Sequence, residues 1–267
     1  MIEIVRNHWE RGHIRFAVFD FDGTLSLIRE GWQAVMTSSM LVELLKTPQH
    51  EPEPELGRFL SDLVTQTTGQ TSSYQMACLA EEIRKRGGQP EDPLTYKQRY
   101  IARLGERINQ RVADLRAGRV RLDDMMVPGS RDMLEAMRAR NVECYLISGT
   151  YEPYLLEEAA VLQVTSYFAG IYGAHDDPTR FSKRQFMENL VAKRRLQGDE
   201  WISIGDGIAE IKEAKRIGGV AVGVASNEAE RSGLNEHKRN LLLKAGADII
   251  VPDFKEYQEL VTYLFDE

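Results

Sequence analysis

Phe16-Ala17-Val18-Phe19-Asp20-Phe21-Asp22-Gly23-Thr24-Leu25 is an apolar run that ends in two carboxylates, a glycine and a threonine. A short continuous apolar run reads as a strand buried on both faces, as in a parallel sheet. Asp20 and Asp22 then fall at its C-terminal end, where ligands bind in open α/β sheets. Asp22-Gly23 is also a turn signal, so the chain leaves the sheet here. Taken alone, the stretch fits a strand closed by an acidic turn about as well as it fits a site. Its partners downstream decide between the two.

On the C-terminal side the texture changes. Over 29–121 the pattern is helical, with almost no strand signal. Trp32, Val35, Met36, Met40, Leu44 and Leu45 recur at spacings of three and four, as one helix face requires. Pro48, Pro52 and Pro54 interrupt that helix. Further helices are expected over 55–65, from a cap at Thr71-Ser72-Ser73 to Gly87-Gly88, and from Pro93 to 117. Four helices with short breaks make a small bundle, with Trp32 in its core.

From 128 onward strands and helices alternate. Strands are expected over 142–147, 168–172, 201–204, 220–224 and 248–251, with helices over 130–140, 152–162, 182–196, 208–217, 236–245 and 254–265. This alternation gives a parallel sheet with helices on both faces. Residues 2–5 add an edge strand, and 14–19 form the strand of the opening stretch. The expected fold class is α/β: a doubly wound, Rossmann-like core of 1–28 and 122–267, with an all-helical domain of 29–121 inserted just after the acidic turn.

The bulk numbers bound the function. The chain has 267 residues, 42% hydrophobic and 28% charged, as an ordinary soluble globular protein does. A net charge of −7 argues against a general binder of nucleic acid or anionic membranes. It leaves room for an anionic substrate held by local donors or a metal. Two cysteines, Cys78 and Cys144, suggest neither a disulfide framework nor a zinc site. With no signal-peptide pattern and no span-length apolar stretch, a cytoplasmic protein is expected.

Two later strands end in unusual loops: Ser148-Gly149-Thr150 after Ile147, and Gly205-Asp206-Gly207-Ile208-Ala209-Glu210 after Ile204. Between them Lys183 starts a helix. In a parallel sheet these loops emerge at one edge, beside Asp20 and Asp22. At this point the sequence resembles the haloacid dehalogenase-like hydrolase superfamily, in its phosphatase branch, close to phosphoglycolate phosphatases with a helical type 1 cap. Asp20-Phe21-Asp22-Gly23-Thr24, Ser148, Lys183, and Gly205-Asp206 with Glu210 match the family's four motifs in order. The helical block stands where the family places that cap.

The residue types suit phosphoryl transfer. Asp20 is placed to attack phosphorus and form an aspartyl-phosphate. Asp22 is placed to protonate the leaving alcohol and then to deprotonate water, which calls for a carboxyl lifted towards neutrality. Two carboxylates about 4 Å apart repel by roughly 4 kcal/mol at an effective dielectric of 20, and a divalent cation relieves this. An all-oxygen site completed by phosphate and water suits Mg²⁺. The resemblance implies that Asp20 and Asp206 ligate it by side chain, Asp22 by its carbonyl, and Glu210 acts through water or one step back. Phosphate donors would come from Phe21, Asp22, Ser148, Gly149 and Lys183. Thr24 supports the loop. Arg29, near the hinge, is a candidate substrate contact. His175-Asp176-Asp177 is expected to be a solvated loop.

The acid two residues after Asp20 selects the branch. The resemblance implies that dehalogenases lack an acid there and ATPases carry threonine, so Asp22 points to phosphomonoester hydrolysis or phosphomutase chemistry. A phosphonatase would need a poised cap lysine, and nothing marks Lys46 or Lys85 as buried. The expected function is a Mg²⁺-dependent phosphatase acting on a small phosphate ester. The alternatives are a sugar phosphomutase and a non-catalytic phosphate-binding module. Sugar or polyol phosphate, phosphoglycolate and nucleoside monophosphate all remain open as substrates, as does the oligomeric state.

Overall fold

The computed structural model describes residues 2–175 and 181–265. Seven strands, β1 (Glu3–Ile4), β2 (Phe16–Phe19), β3 (Glu143–Tyr151), β4 (Phe168–Ala174), β5 (Trp201–Gly205), β6 (Val220–Val224) and β7 (Ile249–Val251), form one sheet. Their order is β1-β7-β6-β5-β2-β3-β4. All neighbours pair in parallel except β1, which lies antiparallel to β7 at the edge. The expected strand at 2–5 is therefore present as an edge strand, but it runs against the rest.

β2 is central, between β3 and β5. Its four residues are buried because both faces of the sheet are covered. Phe16 and Val18 share a cluster with Met187, Leu190, Ile211 and Leu242, from α7 (Lys183–Arg194), α8 (Ile208–Arg216) and α9 (Glu236–Ala245). Ala17 and Phe19 face the opposite cluster with Met133, Met137, Leu155 and Leu260, from α5 (Ser130–Ala139), α6 (Glu152–Val161) and α10 (Tyr257–Phe265). The doubly wound α/β core is as expected.

Four helices follow β2: α1 (Trp32–Leu44), α2 (Glu53–Gln66), α3 (Ser72–Lys85) and α4 (Pro93–Arg116). Thr71 caps α3 by accepting the Tyr74 amide at 3.2 Å, and Asp92 caps α4 by accepting the Leu94 amide at 2.8 Å. α2 begins at Glu53, two residues before the expected start. Pro54 falls in its first turn, where no helical N–H bond is required. The inner stripes meet through Met40, Leu60, Leu79 and Leu104, and their apolar cluster continues into Leu25, Leu27 and Ile28 below the end of β2. Arg111 of α4 donates to the carbonyls of Ile28 at 2.8 Å and Glu30 at 3.0 Å, fixing the segment that leads into the bundle.

The loop between α2 and α3 rests on the C-terminal ends of the strands. Gly69 has φ +89°, and a Cβ there would lie 2.5 Å from Glu210 Oε2. A Cβ at Gly207 would lie 2.9 Å from the Gly69 Cα, and one at Gly149 would lie 2.7 Å from the Gln70 carbonyl oxygen. Three glycines thus let backbone meet backbone where the helical block sits on the sheet edge. Among the described residues, no helix is long and apolar enough to cross a membrane.

Candidate active site

Asp20 extends β2 by one residue, its amide donating to the Ile204 carbonyl at 2.9 Å. The Phe21 carbonyl then accepts the amides of Leu25 at 2.8 Å and Ser26 at 2.9 Å, turning the chain away from the sheet. Lys183 is the first residue of α7, capped by Ser182. Its ammonium donates to Asp20 Oδ1 at 2.8 Å and Glu210 Oε2 at 3.2 Å. Asp206 follows β5. Glu210 lies in the first turn of α8, its carboxylate accepting the Gly207 amide at 2.6 Å. One carboxylate oxygen each from Asp20, Asp206 and Glu210 lie within 4.8 Å of one another, and all three residues are buried. The Glu210 carboxylate is thus one of the three that converge.

Asp22 points elsewhere. Its Oδ2 accepts from Thr150 Oγ1 at 2.8 Å and lies 3.4 Å from Ser148 Oγ, while its Oδ1 lies 3.8 Å from Arg29 Nε. Ser148, Gly149 and Thr150 were expected as a loop, yet β3 continues through them to Tyr151, which pairs with Ala174 across a register shift. Alternation along that strand puts Ser148 and Thr150 on one face, towards Asp22. Thr24 is fully buried, and among the described residues its hydroxyl has no hydrogen-bond partner.

Several groups escaped the sequence reading. Lys238 of α9 sits 2.9 Å from Asp206 Oδ2 and 2.8 Å from Glu228 Oε1. Glu158 of α6, almost fully buried, grips Arg29 by contacts of 2.6 to 3.1 Å. Trp32, expected in the bundle core, is only partly buried and lines the cavity over Asp20. Lys46 and Lys85 are exposed, but Lys97 is buried with its ammonium 5.5 Å from the Tyr151 ring centre. Lys97 is not among the residues that line that cavity. Of the His175-Asp176-Asp177 stretch only His175 belongs to the described residues; its ring lies 3.6 Å from Glu152 Oε2.

The electrostatics follow from burial. Burial pushes the Asp20 carboxyl well above its ordinary value, and the neighbouring Glu210 and Asp206 add to this against the pull of Lys183. Asp22 is also raised by burial, against Arg29 and the Thr150 bond. Burial works against the charge of Lys183, but Asp20 and Glu210 outweigh it and hold it protonated. Asp206 is pushed up to about 6 by burial, with Lys238 opposing and Glu228 and Glu210 reinforcing. Glu158 is pushed up to about 7 by burial, in spite of Arg29.

The Asp206 shift has a sign that can be tested. Its folded value of about 6 lies above the ordinary 3.8, so between the two the folded chain binds more protons than the unfolded chain. The resulting destabilisation is absent below about pH 4 and complete above about pH 6. Asp206→Asn removes it. In metal-free buffer, thermal melts should show the Tm of the variant rising relative to wild type between pH 4 and pH 7. A difference that stays flat would contradict the placement.

The donor set fits a hard divalent cation. Three buried carboxylates converge, all donors are oxygen, and the raised values of Asp20 and Asp206 show how poorly the cluster carries its charge alone. The cavity above it is small, about 80 Å³, and is walled by Arg29, Trp32, Gln70, Gln75, Tyr100 and Tyr154. A wider cleft of about 630 Å³ opens beyond Gly149 and Lys183, past Tyr74, Leu94 and Phe181, but it does not reach Asp22.

Comparison with known proteins bears on the fold and the family. No curated protein matches the sequence. A predicted phosphoglycolate phosphatase from Haemophilus somnus superposes with a TM-score of 0.61 at 17% identity, covering 93% of this chain and 98% of that one. β-Phosphoglucomutase from Clostridium difficile gives 0.58 at 16% identity, over 95% and 100%. A hydrolase from Deinococcus radiodurans with bound phosphate and sodium gives 0.55 at 15%, over 94% and 96%. At such identities these structures share the fold. The family model for haloacid dehalogenase-like hydrolases matches residues 14–218, which include Asp20, Asp22, Ser148, Lys183, Asp206 and Glu210, and the chain belongs to that family.

Proposed function

We propose that the protein is a Mg²⁺-dependent phosphatase that hydrolyses a small phosphate monoester through an aspartyl-phosphate. The observation that carries this reading is the division of labour between the two aspartates of the opening stretch. Asp20 faces the carboxylate cluster and Lys183, whereas Asp22 faces Ser148, Thr150 and Arg29. In the first step an Asp20 oxygen attacks phosphorus, the ester P–O bond breaks, and Asp22 gives its proton to the leaving alcohol. In the second step Asp22 takes a proton from water, which attacks the same phosphorus and releases inorganic phosphate and Asp20. Lys183 steadies the charge on Asp20 and on the phosphoryl oxygens. Ser148 and the backbone around Phe21, Asp22 and Gly149 supply phosphate donors.

Asp20, Asp206 and the Asp22 carbonyl are proposed to hold Mg²⁺, with Glu210 beside them and Thr24 supporting the loop. When bound, the ion would keep Asp20 ionised and offset the charge of the phosphoryl group. The block of 29–121 is proposed as a cap that excludes water. Cys78 and Cys144 are free thiols, which suits a cytoplasmic setting.

The test is phosphate release. Purified protein with Mg²⁺ should liberate inorganic phosphate from an aryl phosphate, lose that activity in EDTA and regain it with added Mg²⁺. Isomerisation of a sugar phosphate without phosphate release would assign the mutase chemistry instead. Absence of both, together with no beryllofluoride adduct, would leave a non-catalytic binding module.

A further inference from the structure

The wall of the cavity near Asp22 carries a charge that is already spent. Among the described residues lining that cavity, only Lys183 and Arg29 are cationic, and Lys183 is bound to Asp20 and Glu210. Arg29 is the one cation on the Asp22 side. It lies 3.8 Å from the Asp22 carboxylate, and Glu158 holds its Nε at 3.0 and 3.1 Å and its second nitrogen at 2.6 Å. Glu158 is not part of the lining. It reaches Arg29 from α6, behind the wall, and is only 2% exposed. Apart from the carboxylates Asp20, Asp22 and Asp206, the rest of the lining is neutral and includes the rings of Trp32, Tyr100 and Tyr154 and the amides of Gln70 and Gln75.

We propose that Glu158, by saturating Arg29 from behind, makes this site selective for phosphate esters of uncharged, hydroxylated alcohols and against esters that carry a second anion. This rests on the phosphatase reading and narrows its substrate class. A carboxylate or second phosphate on the leaving group would enter a small cavity beside Asp22 with no uncommitted cation to meet it. Like-charge juxtaposition in a water-poor site is the repulsive element that specificity requires. Aromatic faces and side-chain amides suit the C–H faces and hydroxyls of a sugar or polyol. The same feature disfavours a mutase, which must hold a doubly phosphorylated sugar.

The experiment is a kcat/KM panel at pH 8 with Mg²⁺, comparing uncharged sugar and polyol monophosphates with phosphoglycolate, a phosphoglycerate and a sugar bisphosphate. Wild type is expected to favour the uncharged class by about tenfold or more, which corresponds to roughly 1.4 kcal/mol. Glu158→Gln keeps the shape and an amide oxygen for Arg29 but frees its charge, and should shift the ratio towards the carboxylated esters by about tenfold. A wild-type preference for a carboxylated or doubly phosphorylated ester would overturn the proposal, even if the variant fails to fold. So would an unchanged ratio in a folded Glu158→Gln. Hydrolysis of no ester at all would instead overturn the phosphatase reading on which the proposal rests.

Discussion

Asp20→Asn is expected to lower turnover by on the order of 10⁴ or more, because the amide cannot attack phosphorus and no second group stands in its place. Among the described residues the other carboxylates of the cluster, Asp206 and Glu210, are committed to Lys238 and to Lys183 with the Gly207 amide. The fold should survive the change. Asn is nearly isosteric, the Asp20 carboxyl is already hard to ionise where it is buried, and Lys183 keeps Glu210 at 3.2 Å. The measurement is an acid-quenched reaction with labelled substrate, run beside a thermal melt. Wild type should carry label on the protein; the variant should carry none while melting within a few degrees of wild type. Normal turnover by the variant would remove Asp20 from the mechanism.

Asp22→Asn should produce a different failure, and the difference identifies its role. General acid–base assistance is worth about 10²–10⁴ in rate, and it matters most when the leaving alcohol is a poor leaving group. The variant should therefore lose about a thousandfold on an alkyl phosphate but retain much of the first step with a nitrophenyl-type ester. Without a base for water, the second step should then stall. Rapid mixing should show a burst of one equivalent of phenol per site, followed by very slow turnover, with phosphate trapped on the enzyme. Equal losses on both esters, with no burst, would mean that Asp22 acts in some other way. Its raised carboxyl, held by burial against Arg29 and Thr150, is what an acid that must start protonated requires.

Much of this site was legible because its pieces obey local rules. The apolar run of 16–19, ended by Asp20, can hardly be anything but a buried strand, and the helical block announced itself by its period, the cap at Thr71 and the helix start at Pro93. Other residues were hidden by their surroundings. Lys238 sits in Glu236-His237-Lys238-Arg239, which reads as a solvated helix face; only the packing of α9 beside β6 brings it to Asp206. Glu158 follows Glu157 and looks like a surface acid. Yet Leu155, Glu158, Ala159 and Leu162 are all buried and spaced by three, one and three, so helical period placed it inward. Thr150 was missed because Ser148-Gly149 reads as the end of a strand. Once β3 is carried on to Tyr151, position 150 shares the face of 148.

The meeting of Gly69, Gly149 and Gly207 bears on how this protein could acquire new substrates. At those three positions almost no side chain is admissible, so the contact between bundle and sheet has little room to drift and carries no chemical information about the ester beneath it. Trp32, Gln70, Gln75, Tyr100 and Tyr154 stand around the cavity instead of between those backbones, and four of the five belong to α1, α3, α4 and α6. Replacing them one at a time alters what is enclosed without altering the enclosing. The molecule thus separates an inheritable hinge-and-seat from an editable interior, and a lineage can revise the second while the first stays fixed.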